Sequence, residues 1–157
     1  MRSTDTLSDE TVNRLHELIR LNLDCARELQ SVGDAVEDPP LTALLRDFAR
    51  QRKAYAQELQ MHVEDDQRQP PPSTACPLTL AVHRWWMDLK HKLTSGDQHA
   101  VLDEAQRGED ELKQVYEDAI RATSGSPISS VLHHQYLGIE EARRRIHDLR
   151  RAYRQAG

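Results

Sequence analysis

Apolar side chains recur at helical spacing along almost the whole chain. The clearest run is Asp97 to Thr123, where Leu102, Ala105, Leu112, Tyr116 and Ala119 fall on one stripe. Where that stripe needs its next member stands Glu109, inside Arg107–Gly108–Glu109–Asp110. The spacing predicts one long helix with a carboxylate turned toward the core at mid-length. Gly108 beside it lets a neighbouring backbone come close. A buried carboxylate has to be paired, protonated or bound to a metal.

The same spacing predicts three more long helices. The first opens at Ser8, a side chain suited to capping, with Asp9 and Glu10 in the first turn, and runs to about Val36. Its stripe is Val12, Leu15, Leu18/Ile19, Asn22, Cys25/Ala26, Leu29, Val32 and Val36, with Asn22 the polar exception and Asp24 at the edge. After the break Glu37–Asp38–Pro39–Pro40, a second helix runs to Val63 or slightly beyond. It carries Leu41, Leu44/Leu45, Phe48, Arg52, Tyr55, Leu59 and His62/Val63. So short a connection implies antiparallel neighbours. A polar linker with Pro70–Pro71–Pro72 occupies residues 64–77. A shorter helix from Pro77 to about Ser95 follows, packing through Leu78, Val82, Trp85/Trp86, Leu89 and Leu93. Asp97 caps the helix described first. Ser124–Gly125–Ser126–Pro127 ends it and starts the last helix, with Ile128, Val131/Leu132, Gln135/Tyr136, Ile139, Ala142, Ile146, Leu149 and Tyr153 on its face.

At about 1.5 Å per residue, the short helix is about 25 Å long and can carry the chain back along the bundle. The expected fold is all-α: a ferritin-like up-down four-helix bundle with a short crossover helix between the second and third long helices. Residues 1–8 read as a frayed terminus and 9–157 as one domain.

Composition narrows the classes. Hydrophobic residues make up 38% and charged residues 30%, which suits amphipathic helices better than sheets. The net charge of −5 supplies no basic field for nucleic acid or an anionic membrane. Two cysteines, Cys25 and Cys76, cannot make a disulfide framework. The polar start is unlike a secretory signal, and no apolar run approaches the roughly 20 residues of a membrane span. These absences point to a cytoplasmic protein of bacterial type.

Several segments together resemble a known family. They are Leu18–Ile19, Asp24, Val36–Glu37–Asp38–Pro39, Gln51–Arg52, Glu58–Leu59, His83–Arg84, Trp86–Met87–Asp88–Leu89–Lys90, Leu93, Gly96–Asp97 and Arg107–Gly108–Glu109–Asp110. The family is bacterial, ferritin-like and four-helical, and carries a domain-of-unknown-function label. The resemblance spans roughly residues 12–150 and implies the bundle fold but no activity. The chain departs from the family pattern at Cys25, where a glycine is usual, at Trp85, where a small residue is usual, and at Arg143, where a histidine is common. The last departure weakens an inherited metal site.

Counting heights along the helices places Asp24, Arg52, Glu109 and Glu140/Glu141 in one central layer. A ferritin-type di-iron site needs E-x-x-H on two helices, and none occurs in this sequence. Arg52 would repel iron. The layer therefore reads as structural, with Arg52 paired to Asp24 and Glu109. A second layer groups Glu58, His62, His16, Glu117 and His133/His134; of these Glu58 and His62, at i and i+4, could serve zinc or iron together. Asp88 and His91 have ligand-like spacing without a second set. Cys76 reads as a helix-start residue that could be redox-sensitive, and Cys25 as a small core residue. Trp85 is the candidate contact with a partner or a second copy. Arg143–Arg144–Arg145 and Arg150–Arg151 form a basic face expected to pair with acidic neighbours.

The preferred reading is a non-enzymatic bundle protein without cofactor, self-associating as a homodimer, with a polar layer in place of a di-iron site. The competing readings are a metal-dependent oxidase or storage protein using Glu58, His62 or Glu109, and a partner-binding helical module.

Overall fold

The computed structural model describes residues 7–66, 87, 91 and 97–156, with no side-chain placement at 65, 66 and 156. Among these residues the chain is all-helical, with four long helices and no strand. They are α1 (Asp9–Ala35), α2 (Pro39–Asp66), α3 (Gln98–Ala122) and α4 (Ser129–Ala156). Most of the predicted linker and crossover helix, Cys76, Trp85 and Asp88 among it, lies outside the described residues. No helix among the described residues is long and apolar enough to cross a membrane.

Local chemistry sets the helix ends. The Ser8 hydroxyl accepts the Thr11 backbone N–H at 3.1 Å. Asp38 does the same for Leu41 at 3.2 Å, so both prolines sit in the first turn of α2, where a missing N–H loses nothing. The Asp97 carboxylate accepts from His99 and Ala100 at 3.0 and 3.3 Å. α3 ends at Thr123, and Gly125, at φ +84°, turns the chain toward α4. α2 extends to Asp66, slightly beyond Val63 as expected, because Glu64–Asp65–Asp66 is polar but contains no residue that breaks a helix.

The core follows the predicted stripes. Leu15, Leu18, Leu29, Leu41, Leu45, Leu59, Leu102, Tyr116, Ile139 and Ile146 are all buried within it. α1 packs along α2 and α3 along α4, and the two hairpins meet mainly where α2 passes α4. Asp38 bonds Tyr153, Asp47 bonds Arg145 at 3.0 Å, and Gln51 bonds the Gly138 carbonyl at 3.3 Å. Residue numbers rise on α2 as they fall on α4, so the two run antiparallel. Leu41 and Val101, near the starts of α2 and α3, line one cavity of about 240 Å³, so these two helices run in the same direction.

The backbones and side chains of the two hairpins come close at Gly138. A Cβ there would stand 1.7 Å from the Tyr55 hydroxyl oxygen and 3.1 Å from Gln51 Nε2. Only a hydrogen fits between the α4 backbone and the Tyr55 ring. Gly138→Val is expected to destabilise the chain by about 2 kcal/mol in urea denaturation, the scale of an overpacked contact. Leu137→Ala, at the exposed neighbouring position, should stay within about 0.5 kcal/mol.

Candidate functional site

The middle of the bundle holds charge. Arg52, on the α2 stripe, is 0% exposed, and its Nη2 donates to Glu109 Oε2 on α3, a residue only 3% exposed. The α2 and α3 backbones do not pack closely, so the pair spans the core side chain to side chain. The length and fork of arginine suit that reach. Nη1 donates to Gln51 Oε1, and Gln51 Nε2 continues to the Gly138 carbonyl. Phe48, one turn earlier, lies 6.0 Å from the Arg52 guanidinium carbon and 5.6 Å from that of Arg145 on α4. Burial pulls the Arg52 pKa down, but the charge and hydrogen bond of Glu109 outweigh it and hold the group above its ordinary value.

A second set of polar contacts joins all four helices. Asn22 Nδ2 on α1 donates to the Tyr116 hydroxyl on α3 at 2.9 Å. That hydroxyl donates to Gln135 Oε1 on α4 at 2.7 Å. Gln135 Nε2 donates to Glu58 Oε1 on α2 at 2.7 Å and to the Tyr55 carbonyl at 3.3 Å. Asn22, Tyr116 and Gln135 are each 0% exposed, so three polar side chains are carried through the core by one another. Burial pushes the Tyr116 phenol far above its ordinary pKa, against the pull of its hydrogen bond with Asn22 and the Arg52 charge.

The structure brings together Arg52 and Glu109 of the predicted layer. Asp24 does not join them. Cys25, one residue on, is the buried position of that turn, and a step of one residue rotates a side chain by about 100°. Asp24 is left half-buried at the edge of α1. Glu140 also stays out of the core: it takes Lys113 at 3.1 Å across the outer side of α3 and α4. Its hydrogen bonds with Lys113 and Tyr136 hold its carboxyl below the ordinary value. Glu141 is exposed and bonds Arg144.

Of the second layer, Glu58 is engaged by Gln135, His62 is half-buried, and His133 and His134 are exposed. Among the described residues no three His, Cys, Asp or Glu side chains converge where a metal ion could be held. Much of the basic face is paired: Arg143 with Asp110 at 2.6 Å, Arg145 with Asp47 at 3.0 Å and Arg150 with Asp103 at 2.6 Å. Gln135 and Tyr116 are the members of the polar core that charge counting missed. A glutamine on an otherwise apolar stripe was the signal available for the first.

A family profile described as a domain of unknown function (DUF2383) matches residues 10–122. The chain belongs to this family. No curated protein matches it. The DUF2383 match takes in α1, α2 and α3, and with them Asn22, Arg52, Glu109 and Tyr116, while α4 with Gln135 lies beyond it. The expected domain-of-unknown-function label is therefore met.

Removing one partner of the ion pair leaves an uncompensated buried charge, so Arg52→Met or Glu109→Leu alone should cost about 3–5 kcal/mol in denaturant unfolding. The double variant should lose far less than the two together, and strict additivity would disprove coupling. Tyr116 gives a pH signature. With its folded pKa raised above the ordinary value of 10.0, its contribution is full below pH 10. It declines as pH rises further, because only the unfolded chain sheds the proton. Ultraviolet titration of phenolate should therefore give the same native signal for wild type and Tyr116→Phe. The extra wild-type phenolate should emerge only with alkaline unfolding.

Proposed function

We propose that this chain is a non-enzymatic structural bundle protein of ferritin-like connectivity, whose core ion pair stands where a di-metal centre would need its ligands. The observation that carries this reading is the Arg52 guanidinium, wholly buried at mid-bundle and bonded to Glu109. A fixed cation there repels a metal ion and occupies the carboxylate that could have bound one. The buried polar side chains beside the pair, Asn22, Tyr116 and Gln135, suit hydrogen bonding rather than the carboxylate and imidazole set of a di-iron site, and the one further carboxylate they reach, Glu58, is exposed and engaged by Gln135. The parallel course of α2 and α3 supports the ferritin-like connectivity, because a chain joining the end of one to the start of the other has to return along the bundle.

The test is elemental analysis of protein purified without chelator and incubated anaerobically with ferrous iron. Substoichiometric iron, removed by a short chelator wash, is the expected result. One or two tightly held ions per chain, lost on Glu109→Ala or on Glu58→Ala with His62→Ala, would overturn the reading and identify the ligands.

A further inference from the structure

The outer face of α2 carries a pattern of its own. Arg50, Ala54, Gln57, Met61 and Glu64 follow one another at steps of four and three residues, so they share one stripe. It lies on the side of the helix away from the buried Phe48, Arg52 and Leu59. All five residues are exposed, Met61 to 66%.

Charge is divided along the same helix. From Pro39 to Lys53 the charged residues are Arg46, Asp47, Arg50, Arg52 and Lys53, only one of them acidic. From Ala54 to Asp66 there are four acids, Glu58, Glu64, Asp65 and Asp66, and no lysine or arginine. Asp47 pairs with Arg50, but it also takes Arg145 at 3.0 Å. The Arg50 side chain stays 74% exposed, so that pair contributes little and leaves positive charge at this end.

The stripe is complementary to itself. Arg50 and Glu64 stand equally far from Gln57, at opposite ends and with opposite charge. A small residue, Ala54, and a long apolar one, Met61, lie between them on either side of Gln57. We propose that α2 docks antiparallel on the α2 of a second copy of this chain, about a twofold axis at Gln57. Arg50 then meets Glu64 of the second copy twice, once at each end, as an isologous contact requires. Met61 packs over Ala54 of the second copy, where the missing bulk lets the helices approach to about 8–10 Å. The parallel arrangement sets Arg50 on Arg50 and Glu64 on Glu64 and is repelled. A contact of one helix per copy falls at the small, transient end of protein interfaces, so the dimer is concentration-dependent.

Sedimentation velocity of the full chain across a range of concentrations tests this. A monomer–dimer equilibrium weakened by added salt is expected. Arg50→Glu and Met61→Lys, each at an exposed position that leaves the circular dichroism unchanged, should each raise the dimer Kd at least about tenfold. Adding Glu64→Arg to Arg50→Glu should restore it to within about threefold, because the swapped charges meet again. Leu137→Lys, on the exposed side of α4, should leave it unchanged. A chain that stays monomeric at every concentration would overturn the proposal. So would a dimer indifferent to Arg50→Glu and Met61→Lys, or a charge-swapped double variant no better than Arg50→Glu alone.

Discussion

The bundle is constrained by a charge pair in its middle. Arg52 and Glu109 are both withdrawn from water, and withdrawing such ions costs several kcal/mol each before any attraction is counted. That cost is offset only while the two stay in contact. The contact in turn needs α2 and α3 at fixed heights, although their backbones do not pack closely. Gln51 and Phe48 follow from the same demand: one takes a second guanidinium N–H, the other offers a ring face.

The arrangement divides labour between apolar and polar contacts. Within each hairpin, long apolar stripes hold α1 to α2 and α3 to α4. Between the hairpins the meeting of α2 and α4 rests on a glycine and on side chains that bond specific atoms. Tyr55 lies against Gly138, Gln51 reaches the Gly138 carbonyl, and Gln135 grips Glu58. Apolar surface is non-directional; these contacts have one geometry each.

Much of this was legible in the sequence, and the limits have physical causes. The four helices were readable because a 3.6-residue period persists for some twenty-five residues at a time, and because Ser8 and Asp97 stand where caps are needed. Glu109 and Arg52 were readable as buried charges because they interrupt apolar stripes. Their pairing with each other and not with Asp24 was only half readable. Height along a helix is easily counted, but one residue of rotation decides whether a side chain faces the core or its edge. Tyr116 and Gln135 carry no formal charge, so they read as ordinary stripe members. The demand for glycine at 138 comes from Tyr55, 83 residues earlier (138 − 55), and no local pattern records it.

The polar layer also acts on register. Sliding one hairpin past the other by a helical turn, about 5.4 Å, would let many leucine contacts re-form with new partners. It would not re-form the polar ones. Arg52 would leave Glu109, Tyr116 would leave Asn22, and Gln135 would leave Glu58. Each separation strands a buried donor, acceptor or charge at roughly 1–3 kcal/mol, more for the ions. Those losses together match the whole stability of a typical domain, about 5–15 kcal/mol. An all-apolar core of the same volume could be as stable, yet it would distinguish the correct register from its neighbours less sharply. The buried charges thus act mainly against the alternatives to the native state, which is the contribution a bundle built from repetitive amphipathic helices most needs.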